Sequence, residues 1–222
     1  ITVKHIKEKN VKFKIIGNSI HVIAPFKSGK TYTLDISPGI LSKWDFQTKN
    51  PKSFSVKFNN ADPQVRFFND GYIWPSTKKG NLIFETINLK RVRLDIIKVD
   101  EENFSQILQN ESFDSQKARR KHFNRYVLEA KGMPLVSRTL EINPEGNSWL
   151  QNEIDLRELI HTESKGIYFI SLSFTKTDMI FSEDIKKDEK KYNWQFFQSN
   201  AAYKPIITSD IGVTLKQTDT QH

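Results

Sequence analysis

The sequence predicts an all-β protein made of two consecutive antiparallel β-sandwich domains of the Ig-like kind, with a short helical insert in the second. Short runs of alternating apolar and polar residues recur along the 222 residues, and turn signals separate them about every 8–12 residues. Helical periodicities are brief. Hydrophobic residues make up 37% of the chain and aromatic residues 12%, which is enough to build a core.

The first 60 residues are predicted to be strands. Phe13 and Ile15 alternate with lysines before a tight turn at Gly17-Asn18, so this segment is predicted to be a hairpin. Residues 31–36 and 53–58 alternate in the same way. The connection 59–63 carries Asn, Asp and Pro without a hydrophobic pattern, which indicates a boundary. We therefore assign a basic β-sandwich domain, complete or truncated, to residues 1–62 and a second sandwich domain to residues 63–222.

The second part resumes the β pattern and interrupts it once. Asp100 is a candidate helix cap, and Phe104, Ile107 and Leu108 follow at helical spacing, so a helical insert near residues 100–122 should pack its apolar side against the second sandwich. The polar residues 176–204 are predicted to form a solvated loop. Further predicted elements are strands at 65–67, 82–84, 92–99, 126–129, 135–142, 167–174 and 206–215, a short helix at 114–121 and a helical turn at 155–160.

The basic excess of the chain lies in its first 60 residues. This part has eleven lysines, no arginine and three acidic residues, a net charge of +8, whereas residues 61–222 balance 23 basic against 23 acidic residues. Nucleic-acid readers use arginine for bidentate contacts, so all-lysine strands favour a solvated face or protected sheet edges over a phosphate-binding patch. We expect no specific nucleic-acid partner and only weak, salt-sensitive attraction.

Motifs that would indicate catalysis, a cofactor or a metal are not found in the sequence. Cysteine is absent, and the histidines at 5, 21, 122, 161 and 222 lack metal-ligand spacing. His21 lies on a predicted strand and is expected to be a half-buried structural residue. Ser28-Gly29-Lys30-Thr31 matches the end of a phosphate-binding loop, but the earlier glycine is missing and a strand is predicted where a helix is required. We predict no catalytic, cofactor-binding or metal residues, no cofactor and no enzymatic activity.

Five stretches, in order, resemble the N-terminal domains of bacterial alpha-2-macroglobulin-like proteins. F-K-S-G-K-T-Y-T-L (residues 26–34) resembles a strand entry L-K-P-G-T-x-Y-x-V, and residues 62–75 resemble P-x-V-x-F-x-x-x-G-x-x-L-P at a domain join. I-N-L-K-R-V-R-L (residues 87–94) is similar to V-N-V-x-K-V-x-V. Residues 154–169 resemble L-D-L-S-x-L-I…P-G-x-Y-x-V, and residues 207–216 resemble V-x-T-D-I-G-L-x-x-K. The helical insert and the polar loop have no counterpart.

This resemblance implies macroglobulin-type sandwich domains from a large protease-trapping protein of the bacterial cell envelope or periplasm. The family's thioester motif needs a cysteine, so its reactive centre lies outside this chain. The resemblance therefore implies a non-catalytic scaffold fragment, whose partners are neighbouring domains of a longer chain and, through the full-length protein, target proteases. The absence of an initiator Met agrees with a fragment, and no apolar run approaches the ~18–20 residues of a membrane span, so we expect membrane contact only through an anchor elsewhere.

Two other classes of function remain open from the sequence. In an Ig-like adhesion or carbohydrate-binding module, Trp74, Trp149 and Trp194 would form a stacking platform. A carbohydrate-active enzyme domain is disfavoured, because no pair of carboxylates is identifiable as acid and base. A long reading frame with further sandwich domains would indicate the scaffold, and a nearby cell-wall anchor with repeats would indicate the adhesin.

Overall fold

A computed structural model describes residues 1–42, 44–68, 73–74, 81–106, 132–160, 165–181 and 189–209 of the chain. The chain divides into two compact units, Ile1–Ala61 (unit 1) and Asp62–His222 (unit 2). Strands are the main secondary structure of both units, and the prediction of an all-β fold is confirmed.

Unit 1 combines a small sheet with a separate hairpin. The strands are β1 (Thr2–Val3), β2 (Lys12–Ile16), β3 (Ser19–Ile23), β4 (Thr31–Ile36) and β5 (Lys52–Lys57), and a 3₁₀ turn spans Glu8–Asn10. The sheet has the order β1-β4-β5, and β2 pairs with β3 alone; both sets of pairings are antiparallel. Gly17, in the hairpin turn, has a φ of +57°, which glycine adopts without strain.

Unit 2 contains two larger sheets. Its described strands are β6 (Gln64–Phe67), β7 (Ile73–Trp74), β8 (Asn81–Ile87), β9 (Arg91–Val99), β10 (Gly132–Glu141), β11 (Trp149–Asp155), β12 (Gly166–Ser173) and β13 (Ala202–Thr208). One sheet has the order β10-β9-β12-β13-β7 and the other has the order β11-β8-β6. The described pairings are antiparallel, apart from the short parallel pair of β13 with β7.

A single hydrophobic core joins the two sheets of unit 2. Leu94 and Ile96 of β9, with Ile170 of β12, are fully buried, and they pack in one cluster with Leu82 and Phe84 of the smaller sheet. The alternation of these residues along each strand points them to the same side, as a sandwich requires. Unit 2 is therefore a β-sandwich, as the sequence predicts for this part of the chain.

A second, smaller apolar cluster covers the outer side of the five-stranded sheet. Ile97, Val99, Ile167 and Phe169 are buried there, and Phe104 packs against them. Phe104 follows the 3₁₀ turn Glu101–Asn103 and lies at the start of a helical stretch, residues 104–106. The predicted packing of the insert is thus observed for Phe104. The predicted contacts of Ile107 and Leu108, the helix at 114–121 and the strand at 126–129 lie outside the described residues.

The structure corrects the prediction of a loop over residues 176–204. A 3₁₀ turn spans Lys176–Asp178, an α-helix spans Trp194–Asn200, and β13 begins at Ala202, four residues earlier than the predicted strand. The side chain of Asn193 caps this helix by accepting a hydrogen bond from the backbone N–H of Phe196 at 3.0 Å. The predicted continuation of the last strand through Asp210, Ile211 and Gly212 falls outside the described residues.

Strand β11 was not predicted, because one of its inward positions is polar. Leu150 and Ile154 contribute to the core, but Asn152 lies between them. Its Nδ2 donates a hydrogen bond to Thr86 Oγ1 at 3.1 Å, so the polar amide is satisfied beside the buried cluster. The predicted helical turn after this strand is present as a 3₁₀ turn at Leu156–Glu158.

Candidate functional site

The described histidines belong to unit 1. His5 and His21 are both exposed, so the expectation that His21 is half-buried is wrong: it lies on the hairpin, whose two strands pair only with each other within the described residues. Within the described residues, no group of three or more His, Cys, Asp or Glu side chains is arranged to hold a metal ion. His122, His161 and His222 lie outside those residues.

The segment that matches the end of a phosphate-binding loop leads into a strand. Thr31 is the first residue of β4, as predicted, so no helix follows whose N-terminus could face an anion. Gly29 donates its backbone N–H to the carbonyl oxygen of Asn59 at 3.0 Å. That donor is therefore engaged within unit 1.

The tryptophans proposed as a stacking platform have different surroundings. Trp149 begins β11 and is 38% exposed, and the guanidinium of Arg66 lies 3.9 Å from the centre of its ring. Arg66 also forms an ion pair with Glu85 at 2.7 Å, which holds it over the indole. Trp194 begins the α-helix and is 63% exposed, whereas the side chain of Trp74 is outside what the structure describes. The covered face of Trp149 is a poor surface for stacking a sugar.

The hairpin of unit 1 carries a concentrated set of exposed apolar side chains. Phe13 pairs with Val22 and Ile15 pairs with Ile20, so these four residues lie on one face. Ile15 is 76% exposed, and Phe13 and Ile20 are also exposed. Most natural strand faces of this composition are covered by another layer, and exposed patches of this kind commonly mark an interaction site.

The three-stranded sheet of unit 1 is only partly covered on its apolar face. Tyr32 is buried, and its ring packs edge-on against Phe26 and Phe58, with ring centres 5.0 Å and 5.7 Å away. On β5, which has a free edge in this sheet, Phe54 and Val56 remain exposed. Among the described residues of unit 1, only Val3 and Tyr32 are buried apolar side chains.

The surface of unit 1 is also rich in lysines. Every described lysine of unit 1 is exposed, and Lys43 is the one that falls outside the described residues.

Asp35 is the site of a small polar network on the sheet: Ser53 Oγ donates to its carboxylate at 2.5 Å, and Lys4 Nζ lies 3.6 Å away. The hydrogen bond from Ser53, followed by the charge of Lys4, lowers the pKa of the Asp35 carboxyl.

A first group of bonded polar side chains in unit 2 lies at the connection between its two sheets. Asn88, fully buried with a φ of +56°, lies where the chain passes from β8 in one sheet to β9 in the other. The backbone N–H of Asn147 donates to Asn88 Oδ1 at 2.6 Å, and Asn88 Nδ2 donates to Asn147 Oδ1 at 3.3 Å. These bonds hold the connection between the sheets against the turn before β11.

A second polar group in unit 2 centres on the buried Asp95 of β9. Ser137 Oγ donates to Asp95 Oδ1 at 2.7 Å, and Arg93 Nε donates to both carboxylate oxygens at 3.1 Å. Arg93 also donates to Ser137 Oγ at 2.9 Å, which closes the network. Such mutual satisfaction of polar groups stabilises a buried carboxylate and requires no substrate.

Several solved structures of bacterial alpha-2-macroglobulins have a similar fold. A native Escherichia coli alpha-2-macroglobulin fragment spanning domains MG0-NIE-MG1 matches 93% of this chain with a TM-score of 0.52 at 13% identity. The chain shares its fold with these domains. Salmonella alpha-2-macroglobulin reacted with methylamine matches 72% of the chain with a TM-score of 0.55 at 12% identity. The native conformation of the E. coli protein matches 89% with a TM-score of 0.50 at 11% identity.

The likeness concerns the fold and a part of those proteins. The chain spans 59% of the E. coli three-domain fragment, 9% of the Salmonella chain and 11% of the complete E. coli chain. No protein-family model matches the sequence, and no curated protein matches it either. Within the described residues, no helix combines the length and apolar character that a bilayer span requires.

Proposed function

We propose that this chain is a non-catalytic scaffold part of a bacterial alpha-2-macroglobulin-like protease-trapping inhibitor. The observation that carries the proposal is the agreement with the E. coli fragment over 93% of this chain, which extends across both units. Two consecutive domains, residues 1–62 and 63–222, would be held in a longer chain of similar domains. The polar networks of unit 2 support a structural role, because each is satisfied within the fold.

Mechanically, unit 2 is suited to act as a rigid element. Its two sheets share a continuous core, and Asn88 ties the connection between them to the turn before β11. A trap that changes shape after bait cleavage needs domains that move as rigid bodies. A packed core such as that of unit 2 resists deformation and therefore suits this role. In this proposal the target protease meets the full-length protein, in the periplasm or cell envelope, and neighbouring domains are the direct partners of this chain.

The proposal is tested in the full-length parent protein with and without Leu94→Asp, which places a charge in the fully buried core of unit 2. Trapping is measured as protection of a large protein substrate while a small peptide is still cleaved. We expect loss of protection in L94D. Thr139→Asp adds the same charge at an exposed position on the neighbouring strand β10 and should leave protection unchanged.

The isolated 222-residue chain provides the complementary test. Mixed with several proteases, it should slow cleavage of neither the peptide nor the large substrate, because bait and reactive centre are assigned elsewhere. If the isolated chain slowed cleavage of the large substrate alone, it would shield a protease by itself and the scaffold role would be contradicted. A full-length L94D protein that still traps normally would also contradict the scaffold role.

A further inference from the structure

The hairpin β2–β3 arranges apolar and cationic side chains in order along its length. Its end, residues 15–20, contains Ile15, Ile16 and Ile20 and no charged residue. Ile15 is 76% exposed, and Ile16 is half exposed at 50%. Since Ile16 lies on the opposite face from Ile15, the tip is apolar on both sides.

Lysine side chains follow directly behind this apolar tip. Lys14 pairs with His21, and Lys12 pairs with Ile23, so both lysines lie on the face opposite Phe13 and Ile15. Along the hairpin, Lys14 lies one residue, or about 3.3 Å, behind Ile15. Lys12 lies three residues, or about 10 Å, behind it. The hairpin therefore has an exposed apolar end, with two lysines on one face directly behind it.

The charge of unit 1 selects among the partners that could cover this tip. A second copy would bring a net +8 against a net +8, which is unfavourable for pairing two hairpins. A neutral apolar protein surface would accept the isoleucines but leave the lysines without counter-charges. The surface of a bilayer with anionic lipids satisfies both requirements, because apolar side chains enter the acyl boundary while lysines meet the headgroup phosphates.

We propose that the hairpin tip docks unit 1 on an anionic lipid surface. Ile15, Ile16 and Ile20 enter the boundary between headgroups and acyl chains, and Lys12 and Lys14 contact lipid phosphates. The expected depth of about 5–10 Å corresponds to two or three strand residues, so the free edges of the hairpin stay among hydrated headgroups. This differs from the expectation that the membrane is reached only through an anchor elsewhere, and it does not depend on the proposed function.

The test measures binding of the 222-residue chain to vesicles by sedimentation at physiological salt. Vesicles of phosphatidylcholine with about 30% phosphatidylglycerol should bind the chain. Vesicles of pure phosphatidylcholine should bind it at least about tenfold more weakly, because they lack the negative charge that attracts the lysines. The double variant Ile15→Ser/Ile20→Ser should weaken binding about tenfold by removing buried apolar area. Circular dichroism checks that each variant stays folded.

Matched charge variants separate the hairpin from the general basicity of unit 1. Lys12→Gln/Lys14→Gln should weaken vesicle binding by about tenfold or more, whereas Lys52→Gln/Lys57→Gln, which removes the same charge from β5, should have a clearly smaller effect. An equal effect of the two pairs would show diffuse attraction and overturn the proposal. So would equal binding to soluble poly-glutamate, which would indicate an acidic polypeptide as the partner.

A depth reporter provides an independent readout. The emission of Ile15→Trp minus that of the unsubstituted chain, which has four tryptophans of its own, should shift to the blue when anionic vesicles are added, because the tip leaves water. Phe46→Trp, at an exposed position outside the hairpin, is the control and should shift less. An I15W spectrum that does not respond to vesicles, or dimer formation by the chain in sedimentation equilibrium, would contradict lipid docking.

Discussion

Units 1 and 2 are both made of short strands with alternating side chains, yet they bury those side chains to very different extents. Among described residues, two buried apolar side chains belong to unit 1, and the other twenty-four belong to unit 2. Phe13 and Ile15 on β2 follow the same alternation as Leu94 and Ile96 on β9. The first pair is exposed and the second is fully buried. Alternation therefore specifies a strand and its two faces, and only a second layer converts one face into core.

This contrast is tested most strongly by equivalent truncations in the two units. Leu94→Ala should lower the free energy of unfolding of unit 2 by about 2–5 kcal/mol, because it opens a cavity in a closed core. Ile15→Ala, on the exposed hairpin, should change stability by less than about 0.5 kcal/mol. Denaturant unfolding of each variant measures both values. A large loss of unfolding free energy in I15A would show that another part of the fold covers the hairpin.

One glycine in each unit extends the comparison: Gly132 allows a close approach of two strands, and Gly17 allows a positive φ in a turn. A Cβ at Gly132 would lie 2.3 Å from the backbone carbonyl oxygen of Lys98 on the neighbouring strand, so Gly132→Ala should cost about 1–3 kcal/mol through displacement of packed backbone. A Cβ at Gly17 would meet open space, and Gly17→Ala should cost only about 1 kcal/mol for its φ of +57°. Thermal unfolding should rank the two in that order, and the reverse order would contradict the close approach at Gly132.

The sequence predicts most of the strands, and its failures have identifiable physical causes. Strands β2–β5 alternate apolar and polar residues, β9 and β12 are long runs with apolar residues on both faces, and the sequence predicts all six. The early part of β13 was missed because Lys204 occupies an inward position between Ala202 and Ile206, where a charged residue is not expected. Lys204 is buried, and its Nζ lies 5.8 Å from the ring centre of Phe67, so its aliphatic stem packs while the ammonium meets an aromatic face.

The candidate surface on the hairpin was less predictable than the fold. The alternation of Phe13 and Ile15 correctly indicates a half-apolar strand, but it also implies that this face is covered. Coverage depends on contacts with residues distant in sequence, which the local pattern does not contain. The one sequence signal that pointed to this surface is the segregation of eleven lysines and only three acidic residues into residues 1–60.

The connection between the two sheets of unit 2 supplies a third test, which asks how firmly these sheets are joined. Asn88→Ala should destabilise unit 2 by about 1–3 kcal/mol, because the residue has a φ of +56° and its buried side chain exchanges hydrogen bonds with Asn147. Asn88→Gly keeps the backbone conformation without strain and loses only the side-chain bonds. The difference in unfolding free energy between N88A and N88G therefore isolates the backbone term, and equal values would show that the φ contributes nothing.

The smallest expected effect concerns Asp35, a polar contact on the open sheet of unit 1. Its pKa is lowered first by the hydrogen bond from Ser53 and then by Lys4, so its ionised form is favoured in the folded chain. Stabilisation from this group is therefore present above the pKa of the unfolded chain and is lost as the pH falls through the lower, folded value. Ser53→Ala should raise the pKa of Asp35, followed by NMR titration of its carboxyl carbon. Ser55→Ala, two residues along β5 and opposite Thr33, is the matched control and should leave that pKa in place. An unchanged titration in S53A would assign the lowered pKa to Lys4 instead, and Lys4→Gln would then be the variant that raises it.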